Sequence, residues 1–188
     1  MFDVEEFVAS CQAVLKEHTP ALTVEDLVAQ VMNDPDQLVA ALGEPAKGGI
    51  ISLHRSPELT VLQIIWPPGM ALYPHNHNLW AVIGLYGGQE DNTFFNRDSQ
   101  GTGLVRAGFK ALQAKDTALL DVDAIHAVAN PRRGYTGAIH VYGGDFFNEP
   151  RSEWESENSL EQPYSVEHAM QAFSEANERW ASQQDSTG

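Results

Sequence analysis

Three histidines combine a residue type and a spacing that suit metal binding. His75 and His77 stand two residues apart in a run that predicts a strand, so both side chains point to the same face. His126 lies on another short apolar run later in the chain. Neutral imidazoles bind transition metals well, and three of them leave coordination positions open for water or substrate. The sequence therefore predicts a metal site formed by His75, His77 and His126.

A chance His-x-His pair on an exposed strand is the ordinary explanation when that motif stands alone. His18 and His168 are interpreted in this ordinary way, because they stand near the ends of predicted helices. The His75–His77 pair is different, since a third histidine follows it on a second predicted strand. We therefore favour the metal site over the chance pair.

A second pair of residues suits proton transfer beside such a metal. His140 and Tyr142 are also two residues apart, so they share one face of a predicted strand. The tyrosine hydroxyl could bind substrate, and His140 could orient that hydroxyl and exchange a proton with it. The alternative is that both side chains only pack inside a barrel. We predict that both are catalytic.

Helical periodicity marks the two ends of the chain. Apolar residues recur at three- and four-residue steps in a first helix, which is expected to stop before Pro20. A second helix is expected to begin at Thr23, and a third begins with Pro35 and ends at Gly43. Ser165 is the expected N-cap of a final helix.

The region between these helices is rich in short apolar runs separated by Gly, Pro, Asn and Asp. Such a texture predicts many short strands and a β-sandwich or barrel. The expected strands are 50–54, 60–66, 71–77, 80–86, 90–96, 103–113, 117–120, 125–130 and 137–142.

The histidine motifs resemble those of a known superfamily. Gly69 precedes His75 by five intervening residues, and His126 is followed by three residues and Asn130, as in the two cupin motifs. The runs PHNHNLWAVIGLYGG, IHAVANP and AIHVY further resemble the thiol dioxygenase branch, which includes cysteine dioxygenase and 3-mercaptopropionate dioxygenase. The resemblance covers residues 48–145.

The resemblance implies a cupin double-stranded β-helix and an oxygen-dependent activity. In that branch three histidines bind ferrous iron, the thiolate and dioxygen occupy the open positions, and sulfur is oxidised to a sulfinate. The family's serine–histidine–tyrosine relay matches Ala138, His140 and Tyr142. Arg55 is the residue that the resemblance suggests for binding the substrate carboxylate.

Some positions depart from the family pattern. The glutamate of the first cupin motif is replaced, because Ala81 and Val82 stand at its two usual places. Ala138 replaces the relay serine, so His140 loses one expected partner. Glu90 could in principle serve as a fourth ligand, but its position just after a turn favours a solvated strand edge.

Composition excludes some classes of partner. The formal net charge is −15, with 26 acidic against 11 basic residues, so nucleic acids and anionic membranes are not expected to bind. The N-terminus is acidic where a secretory signal would be basic, and the single cysteine, Cys11, forms no internal disulfide. A cytoplasmic location is therefore expected, with Cys11 in the core.

These observations predict a mainly β protein of one domain. We expect a helical arm over 1–47 packed on a cupin barrel over 48–150, and a C-terminal extension over 151–188 with one helix. The expected activity is iron(II)-dependent oxidation of a small thiol, with His75, His77 and His126 as ligands. The alternative metals are zinc, nickel and manganese. The alternative functions are another metal-dependent chemistry, such as that of a lyase, isomerase or hydrolase, and a non-catalytic ligand-binding cupin. A homodimer is a further expectation.

Overall fold

The computed structural model describes residues 1–185, so the last three residues of the predicted C-terminal extension lie outside the described part. The helices are α1 (Val4–Val14), α2 (Pro20–Met32), α3 (Pro35–Leu42) and α4 (Val166–Asp185). The strands are β1 (Gly49–Arg55), β2 (Thr60–Trp66), β3 (Ala71–Asn76), β4 (Ala81–Gly87), β5 (Gln89–Arg97), β6 (Leu104–Gln113), β7 (Thr117–Leu120), β8 (Ile125–Ala129), β9 (Thr136–Tyr142), β10 (Ser152–Glu153) and β11 (Gln162–Pro163).

The strands form two antiparallel sheets. One has the order β1-β2-β9-β4-β7, and the other has the order β11-β10-β3-β8-β5-β6. The chain changes sheet between β2 and β3, again between β3 and β4, and several times more, so consecutive strands wind around a shared interior. This is a double-stranded β-helix, and the prediction of a mainly β fold with helices at both ends is confirmed.

Both faces of the five-stranded sheet are covered, which explains why β2 is buried along its whole length. Alternate residues such as Leu62 and Ile64 contribute to the core between the sheets. Val61 and Val82 point the other way and pack with residues of α1, α2 and α3. Cys11 belongs to this outer core and is fully buried, which raises the pKa of its thiol to about 12.

Local sequence signals mark the starts of several helices. The Asp3 side chain accepts a hydrogen bond from the backbone N–H of Glu6, which caps α1. Ser165 caps α4 by accepting from the N–H of His168. The expected start of α2 at Thr23 is wrong, because the helix begins three residues earlier with Pro20 in its first turn. A proline at that position loses no helical hydrogen bond, so Pro20 can begin α2. The first helix ends at Val14, before Pro20 as expected.

The nine expected strands are present, with ends that differ by at most one residue. One difference concerns the site, since β3 ends at Asn76 and His77 follows it. The short strands β10 and β11 were not predicted, and β10 pairs with β3 through Glu153 and His75. None of the described helices is both long enough and apolar enough to cross a membrane.

Candidate metal centre

The six-stranded sheet brings the three predicted histidines together. His75 on β3 lies directly opposite His126 on β8, and His77 follows β3 after the strand ends. All three side chains are buried, with exposed fractions of 5%, 3% and 1% for His75, His77 and His126. One ring nitrogen from each histidine lies within 4.8 Å of the corresponding atoms of the other two. The cluster could therefore hold a metal ion.

Hydrogen bonds orient two of the three rings. His75 Nδ1 donates to the backbone carbonyl of Tyr73 over 3.0 Å, and His126 Nδ1 lies 2.7 Å from Asn92 Oδ1. With their protons on Nδ1, both rings keep the lone pair of Nε2 free for a ligand. His77 Nδ1 is buried and has no hydrogen-bond partner among residues 1–185.

The spacing of two of the ring nitrogens fits a shared ion. His126 Nε2 and His77 Nε2 lie 3.4 Å apart. Two nitrogens that are each about 2.1 Å from one ion lie about 3.0 to 3.4 Å apart, for angles between a right angle and a tetrahedral one. A metal ion between these two nitrogens would accept the lone pair of each. The donor set therefore suits a divalent transition metal, with three neutral ligands and no carboxylate among them.

Burial keeps the three imidazoles neutral. It lowers the pKa of His75 to about 4, and it lowers the pKa values of His77 and His126 well below their ordinary range. The other histidines of the cluster lower the pKa values of His77 and His126 further, because neighbouring positive charges repel. A neutral imidazole is the form that binds metal, so the site needs no proton loss near neutral pH.

His140 and Tyr142 lie beside the cluster, as their spacing predicted. Both are buried on β9, and His140 Nδ1 is 3.1 Å from the Tyr142 hydroxyl. The rings of His77 and Tyr142 meet edge to face with their centres 5.0 Å apart. The structure thus brings this pair to the three histidines, while its catalytic role stays a prediction.

Glu90 does not lie at a solvated strand edge, and that interpretation is wrong. Its side chain is fully buried, and it accepts hydrogen bonds from Trp66 Nε1 over 2.7 Å and Asn92 Nδ2 over 3.0 Å. Glu90 precedes Asn92 and Phe94 on one face of β5, and this face points into the barrel. The period of two was visible in the sequence, but nothing there showed that this face is the covered one.

The structure does not bring Arg55 to the histidines. Its side chain is 43% exposed and forms a two-point ion pair with Asp145, in which Nε and Oδ1 are 2.9 Å apart. Its guanidinium also lies over the ring of Phe147. The predicted role in substrate binding therefore has no support from its surroundings.

A different arginine, not singled out from the sequence, is buried near the site. The guanidinium of Arg151 lies between the rings of Phe146 and Tyr164, 3.8 and 3.9 Å from their centres. Arg151 is 7% exposed, and its Nη1 has no hydrogen-bond partner within the described chain. Its positive charge also contributes to the lowered pKa values of His75 and His77. The one signal in the sequence is a basic residue within an aromatic-rich segment.

A small cavity lies in front of the three histidines. Its volume is about 20 Å³, which is room for roughly one water molecule. The residues that line it are Ile50, Ile64, Trp66, Leu72, His75, His77, His126, Val128, His140, Tyr142, Phe146, Tyr164 and Phe173. The wall is mostly apolar, and its polar groups converge at the histidines, as is typical of a small-molecule site.

No family model matches the chain. Similar solved structures include an uncharacterised protein with a double-stranded β-helix domain from Klebsiella pneumoniae, at 16% identity over 63% of this chain and 88% of that one, with a TM-score of 0.48. A cupin family protein from Methanocaldococcus jannaschii is 10% identical over 54% and 84%, with a TM-score of 0.44. A cupin superfamily protein from Desulfitobacterium hafniense is 17% identical over 57% and 88%, also with a TM-score of 0.44. Likenesses of this size carry no information about substrate or metal.

Proposed function

We propose that this protein is an iron(II)-dependent dioxygenase that oxidises a small, carboxylate-bearing thiol to its sulfinate. The observation that carries the proposal is the contact between a buried three-histidine cluster and a buried histidine–tyrosine pair. In the overall reaction a thiol and dioxygen give a sulfinate and one proton. Both oxygen atoms end on sulfur, so no further reductant is needed.

His75, His77 and His126 would hold the metal through ring nitrogens. A ferrous ion bound there would supply the place where the thiolate and dioxygen meet. Because all three ligands are neutral, they leave the double positive charge of the ion uncompensated. That charge favours the thiolate form of the substrate over the thiol. The apolar wall strengthens this preference, because a low dielectric increases every charge–charge interaction.

His140 and Tyr142 would hold a proton next to the reacting sulfur. Burial raises the pKa of Tyr142, so its hydroxyl stays protonated and can donate a hydrogen bond. His140 Nδ1 is 3.1 Å from this hydroxyl and can accept its proton. The hydroxyl has one proton, so it donates either to a reacting oxygen or to His140 Nδ1. The contact with His140 offers a route by which that proton can leave.

Arg151 would bind the substrate carboxylate. A buried guanidinium with an unpartnered nitrogen is costly unless an anion compensates it. Burial also lowers the pKa of Arg151, and a bound carboxylate would oppose that shift. Phe146 and Tyr164 hold the guanidinium and also line the cavity, so a carboxylate could reach it from the metal side.

The cavity also favours one kind of thiol. No aspartate or glutamate is among the described residues that line it, so nothing there compensates an ammonium group. We therefore expect 3-mercaptopropionate, which has a carboxylate and no amine, to be a better substrate than cysteine.

The test is oxygen uptake by iron-loaded protein with 3-mercaptopropionate, cysteine and a thiol that has no carboxylate. We expect uptake with sulfinate formation, fastest with 3-mercaptopropionate, and loss of both in His126→Ala. Stoichiometric iron without oxygen uptake for any thiol would contradict the proposal. It would instead favour another metal-dependent reaction, such as activation of water by zinc bound to the same three histidines.

A further inference from the structure

Glu90 is a buried carboxylate on which three nitrogen donors converge. Trp66 Nε1 donates to Oε2, and Asn92 Nδ2 donates to Oε1. His140 Nε2 lies 3.4 Å from Oε2, which is long for a hydrogen bond but within ion-pair distance. Burial alone would raise the pKa of Glu90, but the contacts with His140, Asn92 and Trp66 outweigh it and lower the pKa below its usual value. Glu90 is therefore ionised and can only accept hydrogen bonds.

An acceptor at this point sets the direction of the hydrogen bonds that lead to the metal site. Asn92 must turn its amide nitrogen towards Glu90, so its Oδ1 faces His126 Nδ1 at 2.7 Å. An amide oxygen only accepts, so the proton of His126 must be on Nδ1. The Nε2 lone pair is then free for a metal.

The same carboxylate directs a second branch towards Tyr142. His140 Nε2 is buried and has no hydrogen-bond partner of good geometry within residues 1–185, and Glu90 is the acceptor that it faces. With a proton on Nε2, His140 Nδ1 carries a lone pair and can accept from the Tyr142 hydroxyl at 3.1 Å. Ala138 lies on the same strand face, but its side chain has no polar atom that could accept a hydrogen bond from His140 Nε2.

We propose that Glu90 is a positioning residue that fixes the protons of two imidazoles, through Asn92 for His126 and directly for His140. One acceptor-only group thereby prepares His126 to bind metal and His140 to accept a proton from Tyr142. Glu90 is also the acceptor that faces His140 Nε2, which Ala138 cannot provide. The consequence for catalysis rests on the proposed function, but the positions of the two protons do not.

Replacement of Glu90 by glutamine tests this with little change of shape. Glutamine has one oxygen and one NH₂ group, so it cannot accept from both sides. If its oxygen faces Trp66 and His140, its NH₂ group faces Asn92. The Asn92 amide must then reverse and present its own NH₂ group to His126, whose proton has to leave Nδ1. In the opposite orientation, the NH₂ group faces the N–H groups of Trp66 and His140, and His140 loses its acceptor.

The experiment is ¹⁵N NMR of the histidine rings in metal-free protein, which reports which ring nitrogen carries the proton. In the unmodified protein we expect the proton on Nδ1 of His126 and on Nε2 of His140. In Glu90→Gln at least one of these protons should move, and metal affinity should fall about 10- to 100-fold if it is the His126 proton. Zinc alone, in competition with a chromophoric chelator, measures that affinity without any substrate.

Asp91→Asn is the matched control, because it removes a charge from the next position of β5 and Asp91 bonds Gln89 instead. It should change the proton position on neither His126 nor His140.

If Glu90→Gln does not fold, Asn92→Ala tests the branch that leads to His126. This variant should release the His126 proton from Nδ1 and leave the His140 proton in place. A proton on Nδ1 of His140 in the unmodified protein would overturn the proposal. The proposal would also be overturned if the proton positions did not change in Glu90→Gln. If Asn92→Ala is used instead, an unchanged His126 proton would overturn it.

Discussion

At the scale of single residues, two arginines show that position decides what a charge can do. Arg55 is half exposed and already paired with Asp145, so water and the carboxylate together satisfy its guanidinium. Arg151 is buried between Phe146 and Tyr164, and its Nη1 has no hydrogen-bond partner in residues 1–185. Under the proposed function, only Arg151 of these two would gain a partner from an anionic substrate.

We therefore expect Arg151→Met to lower kcat/KM for 3-mercaptopropionate by about 10- to 100-fold, mainly through KM, because a hydrogen bond to a charged group contributes roughly 1.5 to 3 kcal/mol. Arg55→Met is the matched control and should have little effect. Steady-state oxygen uptake measures both. The opposite pattern, with a large loss in Arg55→Met and none in Arg151→Met, would return the substrate role to Arg55.

The sequence predicted the three histidines but not the residues that support them. Two of the three share a spacing of two residues, and the third follows in a matching strand, so local pattern was enough. Glu90 and Arg151 depend on which surfaces are covered in the folded chain. A carboxylate after a turn and an arginine in a loop are both usually solvated, and only the tertiary structure shows that these two are buried.

At the scale of elements, the contact between α2 and β4 depends on a residue with no side chain. A Cβ added at Gly84 would clash with Val28 Cγ1 and lie 3.0 Å from Met32 Cγ. The helix therefore lies close against the sheet because β4 carries a glycine there. Gly87, at the end of the same strand, has nothing within 4 Å of such a Cβ.

Gly84→Ala should lower the free energy of unfolding by about 1 to 3 kcal/mol, because the added methyl group overpacks the interface. Gly87→Ala is the matched control and should change it by less than about 0.5 kcal/mol. Denaturant unfolding followed by far-UV circular dichroism measures both. Equal stability of the two variants would mean that α2 does not pack on β4 as closely as described.

Pro20 illustrates the limit of prediction at the same scale. A proline can end one helix or occupy the first turn of the next, and the sequence pattern did not show that Pro20 does the second. The strands were predicted more accurately, since several are bounded by Gly, Pro, Asn or Asp. The pairing of His75 with His126 was not predictable, because strand register is a property of the whole sheet.

At the scale of the whole molecule, the buried histidine cluster lowers the stability of the metal-free protein at acidic pH. The folded state holds three neutral imidazoles, and burial lowers the pKa of His75 to about 4. In the unfolded chain the same imidazole has a pKa near 6.5. As the pH falls below 6.5, the unfolded state takes up protons that the folded state does not, so stability decreases.

For the metal-free protein we expect His75 alone to lower the free energy of unfolding by roughly 2 kcal/mol between pH 7 and pH 5, with further losses from His77 and His126. Denaturant unfolding at a series of pH values measures this. In His75→Asn the free energy of unfolding should depend less steeply on pH. In His18→Asn, a change at an exposed position, the pH dependence should equal that of the unmodified protein. A stability independent of pH over this range would contradict the neutral, buried cluster.

A metal titration can show whether His75, His77 and His126 together bind one metal ion. Metal-free protein is titrated anaerobically with ferrous iron, beside His75→Ala, His77→Ala, His126→Ala and, as control, His54→Ala. We predict one ion per chain for the unmodified protein and His54→Ala, and an affinity at least about 100-fold lower for each of the three others. Unchanged binding in any one of those three would contradict the three-histidine centre.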